Sequence, residues 1–229
     1  MTPPSPTVAL IHATPASMPP AHGAFAQRFP EARLWNLLDD RLIAEAEAAG
    51  GLTAPLRRRM WTLIDHAVDG GADGVLLSCS MYGPVVTDAA GAYRVPVLAS
   101  DQALFEAVAA QVRDHGARRV AVLGPIRAGV DDTVARLRDR LDADGSVVAI
   151  TGTVVDGVHQ AAGDPARLCR LVADEARWIA SDADVIVLGQ FSISPAQQAV
   201  QAAVGVPVLS PPHLAADALR DRLAAGVRT

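Results

Sequence analysis

The stretch Ala72-Asp73-Gly74-Val75-Leu76-Leu77-Ser78-Cys79-Ser80 decides how this chain is read, because the chain repeats it. The second copy is Ala183-Asp184-Val185-Ile186-Val187-Leu188-Gly189-Gln190-Phe191, at an offset of 111 residues (184 − 73). The match continues without a gap: Pro84 falls on Pro195, and Val95-Pro96-Val97-Leu98 falls on Val206-Pro207-Val208-Leu209. Upstream, Val8-Ala9-Leu10-Ile11 falls on Val120-Ala121-Val122-Leu123, at an offset of 112 (120 − 8). An ungapped match through strand, loop, helix and next strand marks a duplication. Two copies are too few for a solenoid.

The repeated runs read as buried strands. Val8–Ile11, Leu34–Leu38, Val75–Ser78, Val95–Leu98, Val120–Leu123, Val147–Ile150, Val185–Leu188 and Val206–Leu209 are apolar and mostly β-branched. Near-continuous apolar strands belong to parallel sheets covered on both faces. Helical patterns lie between them, at Leu56–Val68, Asp101–His115, Asp131–Leu141 and Asp164–Ala180. Asp101, Asp131 and Asp164 read as N-caps, the last with Pro165 at the first helical position. Strand–helix alternation means βαβ units. The expected fold is α/β: two pseudo-symmetric, doubly wound parallel-sheet halves with a cleft between them. Residues 1–99 with 206–229 form the first half and 100–205 the second. Ligands of open α/β sheets bind beyond the carboxyl ends of the strands. The loops after Ile11, Ser78, Leu123 and Gly189 are therefore expected to border that cleft, with Cys79 and Gln190 facing it.

Composition narrows the function. Half of the 229 residues are hydrophobic, enough for a sizeable core. The formal charge is −5, the pI is near 5.6, and no stretch joins basic residues to aromatics, which argues against a nucleic-acid partner. Every cation is Arg and Lys is absent, which reads as GC-rich codon bias. No apolar run reaches the ~18 residues of a membrane span. Met1–Thr7 is Pro-rich and uncharged, unlike a signal peptide. Cys79 and Cys169 make no disulfide framework, so a cytoplasmic protein with reduced thiols is expected. The sequence has no GxxxxGK[ST], no GxGxxG after a strand and no GxSxG, so nucleotide, flavin and serine-hydrolase chemistry lack support. His22, His66, His115, His159 and His213 show no metal-ligand spacing, and no metal is expected.

Cys79 is the first candidate for chemistry. It follows a strand and precedes Ser80-Met81-Tyr82-Gly83-Pro84, with a helix expected from Pro84. The N–H groups of a helix start attract a carboxylate or oxyanion and lower a thiol's pKa. Cys79 can then serve as proton donor, base or nucleophile; its bland reading is a small buried apolar residue. Gln190 holds the matching place before Phe191-Ser192-Ile193-Ser194-Pro195. An amide donates and accepts hydrogen bonds but moves no proton near neutral pH. Ser80 and Ser192 read as carboxylate-binding hydroxyls or as helix caps. His12 ends the first strand before Ala13-Thr14-Pro15, either as a second acid/base or as a structural histidine. Thr14, Met81, Tyr82 and Phe191 complete the expected substrate-binding set. Cys169 reads as packing, Asp39-Asp40 as a cap and Arg127 as an exposed cation.

With these motifs, Gly71-Ala-Asp-Gly-Val-Leu-Leu-Ser-Cys79-Ser80 and Asp184-Val-Ile-Val-Leu-Gly-Gln190-Phe-Ser192, the chain resembles the aspartate/glutamate racemase superfamily. That group includes hydantoin racemases, maleate cis-trans isomerases and arylmalonate decarboxylases, and the resemblance spans nearly the whole chain. It implies cofactor-independent chemistry at the carbon next to a carboxylate or carbonyl. The racemases exchange the proton between two cysteines, the maleate isomerases use the first as a nucleophile, and the arylmalonate decarboxylases keep only the second. Cys79 matches the first cysteine, and Ser80 and Met81 match the carboxylate-binding residues after it.

The chain departs from the pattern twice. Gln190 stands where the second cysteine belongs, and Gly124-Pro125-Ile126 replaces the threonine expected after the fifth strand. Symmetric two-thiol racemisation therefore has no second acid. The expectation is an isomerase or racemase-type enzyme acting on a small carboxylate through Cys79, with Gln190 polarising or orienting the substrate and a homodimer as the assembly. The alternatives are a decarboxylase that protonates an enolate through Cys79, a racemase whose second base is His12, and a non-catalytic small-carboxylate binding protein.

Overall fold

Apolar runs too short for helices, each bounded by turn residues, become the inner strands of two parallel sheets in the computed structural model, which describes residues 5–88, 91–161 and 163–226. The chain divides into two compact units, one reaching Gln102 and resuming at Pro212, the other Ala103–Pro211.

The first unit contains β1 (Thr7–His12), α1 (Met18–Arg28), β2 (Arg33–Leu38), α2 (Leu42–Ala48), α3 (Ala54–Asp69), β3 (Gly74–Leu77), α4 (Gly83–Asp88) and β4 (Val97–Ala99). Its sheet order is β2-β1-β3-β4, parallel throughout. After α5 (Gln102–His115), the second unit contains β5 (Arg119–Gly124), α6 (Arg127–Ala143), β6 (Ala149–Val154), α7 (Pro165–Ile179), β7 (Val185–Leu188), α8 (Gln197–Ala203) and β8 (Val208–Leu209). Its order, β6-β5-β7-β8, repeats the first and is again parallel. The last helix, α9 (Pro211–Gly226), returns to the first unit. There Leu219 lies against Gly74, where a Cβ would come within 3.1 Å of it.

The central strands are the most buried elements, as helices on both faces require. Val8, Leu10, Val75, Leu76 and Leu77 are fully buried, as are Val122, Leu123, Ile186, Val187 and Leu188. One core joins Ile11, Leu42, Met60, Ile64, Leu77 and Tyr82; the other joins Leu123, Val172, Ala176, Leu188 and Ile193.

The duplication extends to single hydrogen bonds. Beyond β3, Ser78 N–H donates to Ile11 O at 2.9 Å; beyond β7, Gly189 N–H donates to Leu123 O at 2.8 Å. The Asp73 carboxylate accepts from Thr7 N–H at 2.7 Å, and Asp184 accepts from Arg119 N–H at 2.9 Å. The repeated spacing of strand, Asp and strand therefore reflects a carboxylate that ties two strand starts together.

Several boundaries differ from the sequence reading. Helix α6 begins at Arg127 rather than Asp131, because the chain leaves its extended conformation right after Ile126 (φ −141, ψ 146). Strand β6 begins at Ala149, and Val147 stays 89% exposed. The helix expected from Pro84 is present as α4, which begins at Gly83 directly after a 3-10 turn at Ser80–Tyr82. Finally, the segment from Val206, expected with the first half, supplies β8 to the second sheet: Ile186 N–H donates to Pro207 O at 2.9 Å.

Candidate functional site

Cys79 leaves β3 in an extended conformation (φ −113, ψ 118) and begins the 3-10 turn. It is half-buried, packs against the first core, and is in no disulfide. Ser80 and Met81 are also half-buried, and Met81 leans on the same core. Tyr82 is fully buried, and its hydroxyl donates to Leu42 O at 3.0 Å. Burial first, then electrostatic repulsion from Cys79 and Asp39, pushes the Tyr82 phenol up to about 12. Tyr82 is therefore a neutral core residue, although three residues earlier the chain presents a thiol.

His12 lies behind Cys79 and is fully buried. Its Nδ1 is 2.8 Å from Ser78 Oγ and 2.9 Å from Ser17 Oγ, and its Nε2 is 3.0 Å from Asn36 Oδ1. Ser17 Oγ also lies 2.8 Å from Thr14 O, to which it donates. One consistent assignment has Nε2–H donating to Asn36 and Nδ1 accepting from Ser78. That is the neutral imidazole. Burial lowers the His12 pKa below its ordinary 6.5, the charge of His22 lowers it further, and the bond to Asn36 only partly offsets this. His22, exposed, donates to the same Asn36 Oδ1 at 2.9 Å. A continuous chain of polar side chains thus runs from the surface at His22 to Ser78, the residue before Cys79. Thr14 accepts weakly from Ala16 N–H at 3.4 Å and caps the first turn after β1.

Gln190 stands at the equivalent strand end in the second unit, also extended (φ −132, ψ 151) and also opening a 3-10 turn, Phe191–Ala196. Phe191 is 4% exposed, and Ser192 is half-buried. Position by position, the network behind Cys79 has no polar counterpart here. His12 corresponds to Gly124 and Ser17 to Gly129 at the β1-to-β5 offset of 112 (124 − 12, 129 − 17). Ser78 corresponds to Gly189 at the offset of 111 (189 − 78), and the strand registers pair Asn36 with Leu10 as they pair Gly152 with Val122.

Gln190 and Val130 occupy the space that Gly124, Gly129 and Gly152 leave, while Val122 and Thr133 lie against Gly189. A Cβ on Gly124 would lie 2.5 Å from Gln190 Oε1 and 2.6 Å from Val130 Cγ2. A Cβ on Gly129 would lie 2.6 Å from Gln190 Nε2, and one on Gly152 would lie 2.5 Å from Val130 Cγ1. The Gln190 side chain is folded back into this niche. Its Oε1 and Nε2 are buried and meet no hydrogen-bond partner among the described residues. An unpaired buried polar atom costs roughly 1–3 kcal/mol, so this packing is expensive for an amide.

The repeat had placed Cys79 opposite Gln190 and Ser78 opposite Gly189. It did not single out Ser17, Asn36, His22 or Gly129, because side chains on β2 and on the first turns after β1 and β5 meet the site only through the sheet register. Cys169 is half-buried on α7 and directs its thiol at Pro195 O, 3.7 Å away. Asp39 accepts from Arg41 N–H at 3.3 Å, as a cap would, and also pairs with Arg59. Among the described residues no cluster of His, Cys, Asp and Glu could hold a metal ion, and no helix is long and apolar enough to cross a membrane.

Two parallel sheets of the same order, each ending in a loop at the same register, define a duplicated α/β protein with a thiol at one strand end and an amide at the other. The chain belongs to the Asp/Glu/Hydantoin racemase family, whose model matches residues 14–219. Glutamate racemase isoform RacE1 from Bacillus anthracis superposes with a TM-score of 0.72 at 12% identity, over 97% of this chain and 83% of that one. Allantoin racemase from Klebsiella pneumoniae gives 0.70 at 17% identity, over 97% and 89%. Picrophilus torridus aspartate racemase gives 0.68 at 13% identity, over 96% and 94%. No curated protein shows a significant sequence match. Membership of this family makes the chain an enzyme of the isomerase class.

Proposed function

We propose that the protein is a cofactor-independent isomerase that acts at the carbon next to a carboxylate or carbonyl of a small substrate, with Cys79 as the catalytic residue. The observation that carries this reading is the half-buried Cys79 at the carboxyl end of β3, in a chain whose second strand end holds Gln190. In the forward step the Cys79 thiolate takes the α-proton. The C–H bond breaks, an S–H bond forms, and the electron pair passes into an enolate. Return of the proton from sulfur restores the carbon acid and the thiolate, and configuration is lost when the enolate turns its other face to Cys79 before that return. On the first unit Ser80 and Thr14 are proposed to offer hydroxyls to a carboxylate and Met81 an apolar surface, while the buried Tyr82 takes no part; on the second unit Ser192 and Phe191 offer the same kinds of group.

His12 is proposed here as a positioning residue rather than a second base. Both ring nitrogens are already bonded and the ring is buried, so it acts on Cys79 through Ser78. Gln190 is proposed to bind and orient without moving protons. That absence of a second acid favours one further reaction of the same residues. If a malonate loses CO2, the C–C bond breaks, its electron pair forms the enolate, and the Cys79 thiol protonates one face; the thiolate then takes a proton from water. A homodimer remains the proposed assembly, checked by sedimentation against the 23.8 kDa chain mass.

The test is label uptake in heavy water from 2-substituted carboxylic acids, hydantoins and 2-substituted malonates, followed by NMR. Deuterium at the α-carbon with scrambled configuration supports isomerisation; one enantiomer with CO2 release supports decarboxylation. Cys79→Ala is expected to lower either rate by at least about 100-fold, the scale of lost proton-transfer catalysis. Activity that survives Cys79→Ala overturns the assignment, and binding without turnover in the unaltered protein supports a binding role.

A further inference from the structure

We infer that Gln190 has two positions: its amide is stowed in the glycine niche of the second unit and comes out to hydrogen-bond the carboxylate or carbonyl group of a ligand. The inference rests on the small-carboxylate reading above and assigns to Gln190 the role of a ligand-responsive binding residue.

Three observations carry it. The niche is shaped to the side chain, since a Cβ at either Gly124 or Gly129 would collide with the amide. The equivalent space in the first unit is filled by His12, Ser17, Ser78 and Asn36, which satisfy one another, whereas here both polar atoms of the amide are unpaired among the described residues. Packing therefore does not explain why this residue is an amide, because a methionine of similar length would fill the niche with no polar atom to satisfy. Gln190 as a whole is only half-buried, so it sits at the lip of the niche, beyond the carboxyl ends of β5 and β7. Rotation of the side chain turns the amide to the side where ligands of open α/β sheets bind, and a ligand that meets only the outward form shifts the population towards it.

Gly129→Ala isolates the effect. Its Cβ would meet Gln190 Nε2 at 2.6 Å and Cδ at 3.1 Å, while the next neighbour, Ile126 Cγ1, is at an ordinary 3.5 Å. The position is helical, where alanine is well tolerated. In ¹⁵N-labelled protein, with the Gln190 side-chain signal assigned by its loss in Gln190→Ala, its amide hydrogens are expected to exchange with water about ten-fold more slowly than those of exposed Gln198. Gly129→Ala is expected to abolish that protection and to tighten the binding of malonate, the probe ligand, by about five- to ten-fold. In a Gln190→Ala background the same glycine substitution is expected to leave malonate affinity unchanged.

Unprotected Gln190 hydrogens in the unaltered protein overturn the proposal. So does a folded Gly129→Ala variant that binds malonate no more tightly or not at all, or an equal gain without Gln190. The two readings fail separately: an inert Cys79 with a protected, releasable Gln190 sinks the reaction and spares this inference, and label exchange at Cys79 with an unprotected Gln190 does the reverse.

Discussion

Tyr82 lies three residues beyond Cys79, yet its hydroxyl points into the core and donates to Leu42 O at 3.0 Å. The sequence reading counted it among the residues around the substrate because proximity along a chain is the only distance a sequence displays. A 3-10 turn separates the two side chains, so that Cys79 stays half-buried while Tyr82 is sealed. Tyr82→Phe is expected to lower stability by about 1 kcal/mol, the scale of one net hydrogen bond, read as a lower urea midpoint with an unchanged slope. Gln190 is the opposite case. Its equivalence to Cys79 was legible from the 111-residue offset, but its fold-back onto Gly124 and Gly129 was not. A side chain at position 124 would occupy the space that Gln190 takes.

At the scale of elements, the inner strands were legible because burial on both faces leaves only apolar, β-branched residues in them. Their ends were harder to read. Asp131 resembles an N-cap, but it sits one turn inside α6, where it pairs with Arg127 at 3.5 Å. The polar network at the end of β1 and β3 gives the first unit a pH signature. His12 is held neutral, mainly by burial, with its pKa below 6.5. The folded state thus binds its proton less readily than the unfolded chain does. Its stabilisation is complete above about pH 6.5 and is lost as the pH falls from there through the lowered value. His213 on α9 is lowered in the same direction, again chiefly by burial. The melting temperature is expected to fall between pH 7 and pH 5, with a shallower fall in His213→Asn and a shallower one still when His12→Asn is added. An unchanged slope in the double variant would show that other groups govern acid stability.

Across the molecule, each unit carries one cysteine, and the two differ in setting. Cys79 stands at a strand end beside the buried His12 network, whereas Cys169 packs along α7 with its thiol directed at Pro195 O. Iodoacetamide is expected to alkylate Cys79 several-fold faster than Cys169, with malonate slowing the reaction at Cys79 alone, as quantified by peptide mass spectrometry. Faster alkylation of Cys169 would move the reactive thiol to the wrong unit for the proposed chemistry. The sequence by itself determined that this is a duplicated parallel α/β chain with Cys79 and Gln190 at matching strand ends, because strand burial and turn chemistry are local and repeat with the sequence. Only the tertiary structure decided that His12 is sealed into a polar network and that β8 belongs to the second sheet. It alone also shows that the Gln190 amide lies among glycines, unpaired among the described residues. Those outcomes depend on which side chains the sheet register brings together across tens of residues, and on the space each of them leaves or fills.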